Sequence, residues 1–137
     1  MAVDFEITDR KVDDDTHVLA VTGEIDLFTA PEFKQRMSAL IDAGRSRIVV
    51  DLTQTTFIDS SSLGVLIGAH RRLKLRGGAL LVVCDSEAIA KTFKITGLDG
   101  VFTLAASVDE ALADGLDVET EGEHEFLRVR LAYSGSD

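Results

Sequence analysis

The residues with the clearest chemical potential are an aspartate followed by three serines, Asp59, Ser60, Ser61 and Ser62. They lie where the apolar pair at 57–58 gives way to residues with helical periodicity. Aspartate and serine are good helix N-caps, so the cluster could serve only to begin a helix. One cap needs one such residue, however. Three small hydroxyl residues in a row also suit an exposed surface that another molecule approaches closely.

The spacing alone leaves three uses of this cluster open: a helix cap, a phosphorylation site, and a nucleophile or ligand site. A helix N-terminus offers unpaired N–H donors and a partial positive charge, and both favour an anion. A phosphate on one serine would add a charge of roughly −1.5 to −2. We therefore expect phosphorylation to leave the helix intact and to change what can dock on its surface.

Enzymatic chemistry finds little support in the other reactive residues. His17, His70 and His124 fall in different predicted elements and show no metal-ligand spacing. Cys84 ends an apolar strand and is interpreted as a small core residue. The sequence contains no Gly-x-Ser-x-Gly elbow and no glycine-rich phosphate loop. It therefore predicts neither an enzyme nor a bound metal or cofactor.

Length, charge and hydropathy exclude several classes of protein and partner. A chain of 137 residues, 45% of them hydrophobic, predicts one domain with a proper core. The net charge of −10 argues against nucleic acid and against an anionic membrane surface as partners. The sequence has no apolar run near the roughly 20 residues that span a bilayer, and its first residues do not resemble a secretory signal. We therefore expect a cytoplasmic protein.

Strand and helix patterns alternate along the chain, which predicts an α/β fold. Alternation around Phe5 and Ile7 and the apolar run at 18–22, ended by Gly23, predict a β-hairpin. Residues 48–52 are β-branched and apolar, which indicates a buried central strand before a short polar turn. Further strands are predicted at 79–84 and 101–104.

Helices are predicted between these strands. Thr29 and Glu32 have the spacing of a capping box, and Gly44 suits the end of the helix that follows. The second helix follows the serine cluster, the third opens at Ser86, and a short fourth opens at Ser107. Residues 117–137 are predicted to form an acidic, partly flexible extension after a domain at 1–116. The alternation at 126–133 predicts an edge strand or a partner-binding segment.

Several short blocks, in this order and spacing, resemble the STAS-domain family, specifically the bacterial anti-sigma factor antagonists. The resemblance runs from about residue 3 to residue 114. The blocks are Val-Thr-Gly-Glu-Ile-Asp at 21–26, Thr-Ala-Pro-Glu at 29–32, Ile-Val-Val-Asp-Leu at 48–52, Phe-Ile-Asp-Ser-Ser-Ser-Leu-Gly-Val-Leu at 57–66, the glycine pair at 77–78, and Phe-Lys-Ile-Thr-Gly-Leu at 93–98.

The resemblance implies a STAS fold, with a mixed four- to five-stranded sheet and about four helices mainly on one face. It also implies partner switching. The unphosphorylated antagonist binds an anti-sigma factor, a serine kinase of the histidine-kinase-like type, and thereby frees a sigma factor. The kinase phosphorylates the antagonist and the complex dissociates. A PP2C-type phosphatase reverses the modification.

By position, Asp59 matches the motif acid and Ser60 the phosphoacceptor, with Ser61 and Ser62 as alternatives. The residues expected to face the partner are Glu24, Asp26, Asp59, Ser60, Ser61, Ser62 and Leu63. One departure is at Ser62, where the family commonly has glycine; serine is compatible with helical backbone, so we expect binding to be preserved.

Two other functions remain as alternatives. The first is a STAS module of another signalling or transport assembly. The second is a small nucleotide-binding or hydrolytic enzyme that would use Ser60 with Asp26 and Asp59, although the sequence offers it no positioned base and no phosphate loop.

Overall fold

Five strands form one mixed sheet in the order β1-β2-β3-β4-β5 in this computed structural model, which describes residues 4–113. The strands are β1 (Glu6–Lys11), β2 (Thr16–Ile25), β3 (Arg47–Ile58), β4 (Ala79–Val83) and β5 (Thr103–Ala105). Only β1 and β2 pair antiparallel, as the predicted hairpin, and the other neighbours are parallel. The α/β class, the hairpin and the central position of the strand at 48–52 are confirmed.

The helices are α1 (Ala30–Asp42), α2 (Ser60–Leu75) and α3 (Glu87–Ile95), with a 3-10 turn at Leu98–Gly100 and a helical segment at 108–113. The first three cover one face of the sheet with buried residues such as Phe33, Leu66 and Phe93. The segment at 108–113 packs on the other face, where Ala111 meets Val49 and other strand residues. Helices therefore lie mainly on one face, as predicted.

Alternating side chains divide the sheet between these two cores. In β3, Ile48 and Val50 point toward the three helices, whereas Val49 points toward the opposite face. This alternation is what a strand buried on both faces requires, because successive side chains point to opposite sides. The neighbouring strands repeat the pattern, which holds the sheet in register.

Two strands are longer than predicted. β2 does not end at Gly23 but continues to Ile25, because Gly23 adopts a φ of 93° beside an irregularity in the pairing with β3. A glycine in this conformation accommodates a bulge without ending a strand. The polar turn predicted after residue 52 is also wrong, since β3 runs on to Ile58 beside the end of β2.

Two local predictions also need correction. The Thr29 side chain makes no cap hydrogen bond to α1, so the capping box with Glu32 is wrong. The last strand lies at Thr103–Ala105 rather than 101–104. The predicted boundary at 116, the acidic extension and the strand at 126–133 lie outside the described residues. No helix within residues 4–113 is both long and apolar enough to cross a membrane.

Candidate functional site

The candidate site lies at the edge of the sheet where β2 and β3 end together. These strands are parallel neighbours, and Ile25 pairs with Ile58. The loop after β2 leads into α1, and Asp59 alone separates β3 from α2. The strand extensions therefore bring the acidic residues at 24–26 and the serine cluster at 59–62 to the same edge of the sheet.

Asp59 is the N-cap of α2, as the first interpretation of the cluster expects. Its carboxylate accepts hydrogen bonds from the Ser61 N–H at 3.0 Å, the Ser62 N–H at 3.2 Å and the Ser61 hydroxyl at 2.6 Å. The Ser61 hydroxyl bond contributes most to lowering the pKa of Asp59 below its ordinary value, against the opposing effect of burial. Two N–H donors expected to be free for an anion are therefore already taken by an ionised carboxylate.

Asp59 and Ser62 form a capping box, and the loop after β2 contains a similar box of hydrogen bonds. Asp26 accepts hydrogen bonds from the Phe28 N–H at 2.9 Å and the Thr29 N–H at 3.1 Å, and its own N–H donates to the Thr29 hydroxyl at 2.9 Å. The Thr29 hydroxyl donates to the Glu24 carbonyl at 2.8 Å. Asp26 and Thr29 thus repeat the arrangement of Asp59 and Ser62, in which each main chain donates to the other residue's side chain.

The three serines differ sharply in accessibility. Ser60 is exposed, and its hydroxyl has no hydrogen bond to another of the residues at 4–113. Ser61 is half-buried and donates to Asp59. Ser62 has no exposed surface at all, and Leu63 is also buried in the core. The expectation that Ser62 and Leu63 present side chains to a partner therefore needs correction, because both point inward.

The remaining predicted residues lie at the same edge of the sheet as Ser60. Glu24 is exposed at the end of β2, and Asp26 and Asp59 are half-buried in their two boxes. Carboxylates on both loops give this edge a negative character around a free hydroxyl. A second negative group added at Ser60 would therefore meet charges of the same sign.

Two residues that the sequence did not single out complete this surface. Leu27 is 70% exposed and Phe28 is 87% exposed, and together they form what we call the apolar loop. They fall between the two halves of the Asp26–Thr29 box, so the loop holds them outward. The signal in the sequence is an apolar pair just before Pro31 that belongs to no helical stripe.

A groove between α1 and α2 adjoins the apolar loop. Its volume is about 530 Å³, and Leu27 and Ser61 lie in its lining with Gly64, Lys34 and Arg72. The groove is bordered by cations, although Arg72 is already paired with Asp42 at 2.5 Å. The edge thus offers an exposed hydroxyl, an apolar loop and a groove side by side.

The histidines at 17 and 70 and the cysteine at 84 lie away from this edge of the sheet. His17 is beside Asp9 at 3.4 Å, and His70 packs edge-to-face on Phe102 with ring centroids 5.4 Å apart. Burial raises the pKa of the Cys84 thiol to about 11, which leaves it protonated and unreactive. His124 lies outside the described residues. Within residues 4–113, no group of three His, Cys, Asp or Glu side chains could hold a metal ion.

The chain is similar to several known proteins. A family model described as STAS domain matches residues 8–111. The anti-sigma-B factor antagonist of Listeria monocytogenes is 32% identical over 105 residues, which cover 76% of this chain and 90% of the relative.

Two solved structures are also similar. A crystal structure of an anti-sigma factor antagonist from Mycobacterium paratuberculosis has a TM-score of 0.75 at 28% identity, covering 82% of this chain and 94% of the other. The Bacillus cell fate determinant SpoIIAA, solved in its phosphorylated form, has a TM-score of 0.63 at 25% identity, covering 80% and 97%.

Proposed function

Because this chain belongs to the STAS domain family of anti-sigma factor antagonists, we propose that it is an anti-sigma factor antagonist that works by partner switching. In its unphosphorylated form it binds an anti-sigma factor and thereby frees a sigma factor. Phosphorylation of Ser60 ends that binding. The exposed Ser60 hydroxyl, at the edge shared by the two Asp boxes, is the observation that carries the proposal.

The local electrostatics support Ser60 as the switch. A phosphate brings a charge of roughly −1.5 to −2. Asp59 already occupies the N–H groups of Ser61 and Ser62, so these donors are not available to compensate a new anion. The added charge would therefore face outward, toward whatever covers Ser60. The similarity to SpoIIAA, which has been solved in a phosphorylated form, supports phosphorylation as the signal.

The apolar loop supports a protein partner. Aromatic side chains such as Phe are enriched in protein interfaces, and burial of an exposed apolar side chain contributes to the binding free energy. Leu27 and Phe28 are exposed in the free protein, on the loop that begins at the same sheet edge as the turn carrying Ser60. Leu27 also lines the groove between α1 and α2, together with Ser61. A partner on this surface would lie over the phosphoacceptor and would meet its phosphate directly.

This geometry needs no large rearrangement to act as a switch. About 1.4 kcal/mol of lost binding free energy weakens affinity tenfold. Repulsion between a phosphate and an anion held by the partner is sufficient for such a loss. The domain itself keeps its fold because Ser60 makes no hydrogen bond to residues 4–113 that the phosphate would break.

A kinase and a phosphatase would set the phosphorylation state of Ser60. The anti-sigma factor is a serine kinase of the histidine-kinase-like type, and its bound nucleotide supplies the anion opposite Ser60. A PP2C-type phosphatase restores the hydroxyl. The chain acts in the cytoplasm as a binding module without catalytic activity of its own. Residues 1–116 form the binding domain, and residues 117–137 form an acidic extension.

Mass spectrometry after incubation with such a kinase and ATP tests the proposal. We expect one phosphate, on Ser60, and none on the Ser60→Ala variant. Ser61→Ala is the matched control, because it removes the adjacent hydroxyl and should still be phosphorylated. Unchanged phosphorylation of Ser60→Ala would refute the assignment. Turnover of nucleotide by the purified chain alone would instead support an enzyme.

A further inference from the structure

The Ser62 hydroxyl connects the two halves of the candidate site. It is completely buried, it accepts a hydrogen bond from the Asp59 N–H at 3.1 Å, and it donates to the Ile25 carbonyl. A serine hydroxyl has one proton to donate. The Ile25 carbonyl, at 2.5 Å, is a closer acceptor for it than the Asp59 carboxylate, at 3.2 Å. The Ser62 oxygen thereby joins the main chain at Ile25, before α1, to the main chain at Asp59, before α2.

The other side-chain hydrogen bonds of the two boxes stay within their own loops. Thr29 bonds to Glu24 and Asp26, and Ser61 bonds to Asp59. Among residues 4–113, the bond from Ser62 to Ile25 is the side-chain hydrogen bond that crosses from the box at 59–62 to the loop at 24–29. A small apolar residue could fill the same space, but it could not make this connection.

We propose that Ser62 is a positioning residue that fixes the apolar loop, Leu27 and Phe28, relative to the acceptor turn at 59–61. Ile25 precedes Asp26, whose carboxylate holds the Phe28 N–H, so a displacement of the Ile25 carbonyl moves the apolar loop. The protein surface then presents Ser60 and the apolar loop at a fixed distance from each other. The biological meaning of this inference rests on the proposed function, but the connection itself does not.

The test compares two buried hydroxyls of the same kind. Ser62→Ala removes the connection at the site. Thr55→Val is the matched control, because the buried Thr55 hydroxyl also donates to a β2 carbonyl, that of Val21 at 2.8 Å, away from the apolar loop. Both variants lose one buried hydroxyl–carbonyl bond, so both should lose stability. Ser62→Ala should lose more, because it also removes the acceptor of the Asp59 N–H.

The readout is the NMR order parameter of the Leu27 and Phe28 amides in the free protein. We expect values in the rigid range, about 0.85, for the unsubstituted protein and for Thr55→Val. In Ser62→Ala the same amides should fall toward the flexible range, below about 0.6. Equal order parameters in all three proteins would overturn the inference, and so would an equal fall in both variants.

Hydroxyl-proton exchange and kinase kinetics add two further measurements. If Ser62→Ala does not fold, NMR of the unsubstituted protein should show a Ser62 hydroxyl proton that exchanges slowly with water. Absence of that proton signal would overturn the inference. With the kinase, Ser62→Ala should raise KM about tenfold and leave kcat unchanged, since positioning affects binding. A kinase that phosphorylates none of these proteins would count against the proposed function, while the order parameters would still decide the role of Ser62.

Discussion

Replacement of Phe28 by alanine tests whether the apolar loop is the anchor for the partner. The Phe28 side chain is 87% exposed in the free protein. Burying a whole phenylalanine side chain contributes roughly 1.5–3 kcal/mol. A partner that covers the exposed part would therefore gain about 1.3–2.6 kcal/mol from this ring, and Phe28→Ala should weaken binding about 10- to 80-fold.

The assay is isothermal titration of the anti-sigma factor kinase with each variant. Leu75→Ala is the matched control, because Leu75 is 88% exposed but lies at the other end of α2, about 22 Å of helix away from Ser60. Both substitutions are at the surface and should change the free energy of unfolding by less than about 0.5 kcal/mol. Unchanged affinity of Phe28→Ala, or an equal loss in Leu75→Ala, would refute the location of the partner surface.

Two further predictions concern stability, measured by urea unfolding. Asp59→Ala should lower the free energy of unfolding by about 1–2 kcal/mol, whereas Asp59→Asn, which retains a capping oxygen, should cost far less near neutral pH. The fold lowers the pKa of Asp59 below its ordinary value of 3.8, so the ionised carboxylate stabilises the protein fully above that pH. This stabilisation is lost as the pH falls through the pKa of Asp59 in the folded protein. If Asp59→Asn lost stability with acid to the same extent, the prediction would be contradicted. Gly78→Ala should destabilise the protein by about 1–3 kcal/mol, because a Cβ at this position would lie 2.1 Å from the Ser46 backbone oxygen. In the control Gly68→Ala, the new Cβ meets no atom within 4 Å, so the substitution should be neutral or stabilising. An equal effect of the two substitutions would exclude this clash.

The sequence was sufficient for the elements whose signals are local. The apolar, β-branched residues at 48–52 predict a central strand whichever neighbours it has. The end of α1 was also predictable, because Gly44 adopts a φ of 92° just beyond the helix, a conformation that favours glycine. Asp59 as the cap of α2 was predictable for the same reason, since its partners, Ser61 and Ser62, lie two and three residues further along the chain.

The ends of β2 and β3 depend on each other and could not be predicted locally. Gly23 usually indicates the end of a strand, and the threonines at 53–56 resemble a polar turn. In the fold, Gly23 pairs with Thr55, so both segments continue as strands. This mutual pairing brings Asp26 and Asp59 together, and a reading of either segment alone misses it.

Burial at the site also departs from what residue polarity indicates. Ser62 is a small polar residue but is completely buried, because Asp59 and Ile25 satisfy its hydroxyl. Phe28 is a large apolar residue but is exposed, because the box formed by Asp26 and Thr29 fixes the loop that carries it. Both outcomes follow from contacts between segments that only the folded chain brings together.

The most direct measurement compares the affinity of the anti-sigma factor kinase for the protein before and after phosphorylation of Ser60. We expect phosphorylation to weaken binding at least about tenfold while the melting temperature changes by only a few degrees, because the phosphate acts on the partner and not on the fold. Equal affinity of the two forms would contradict the account, as would loss of binding that accompanies unfolding of the phosphorylated protein.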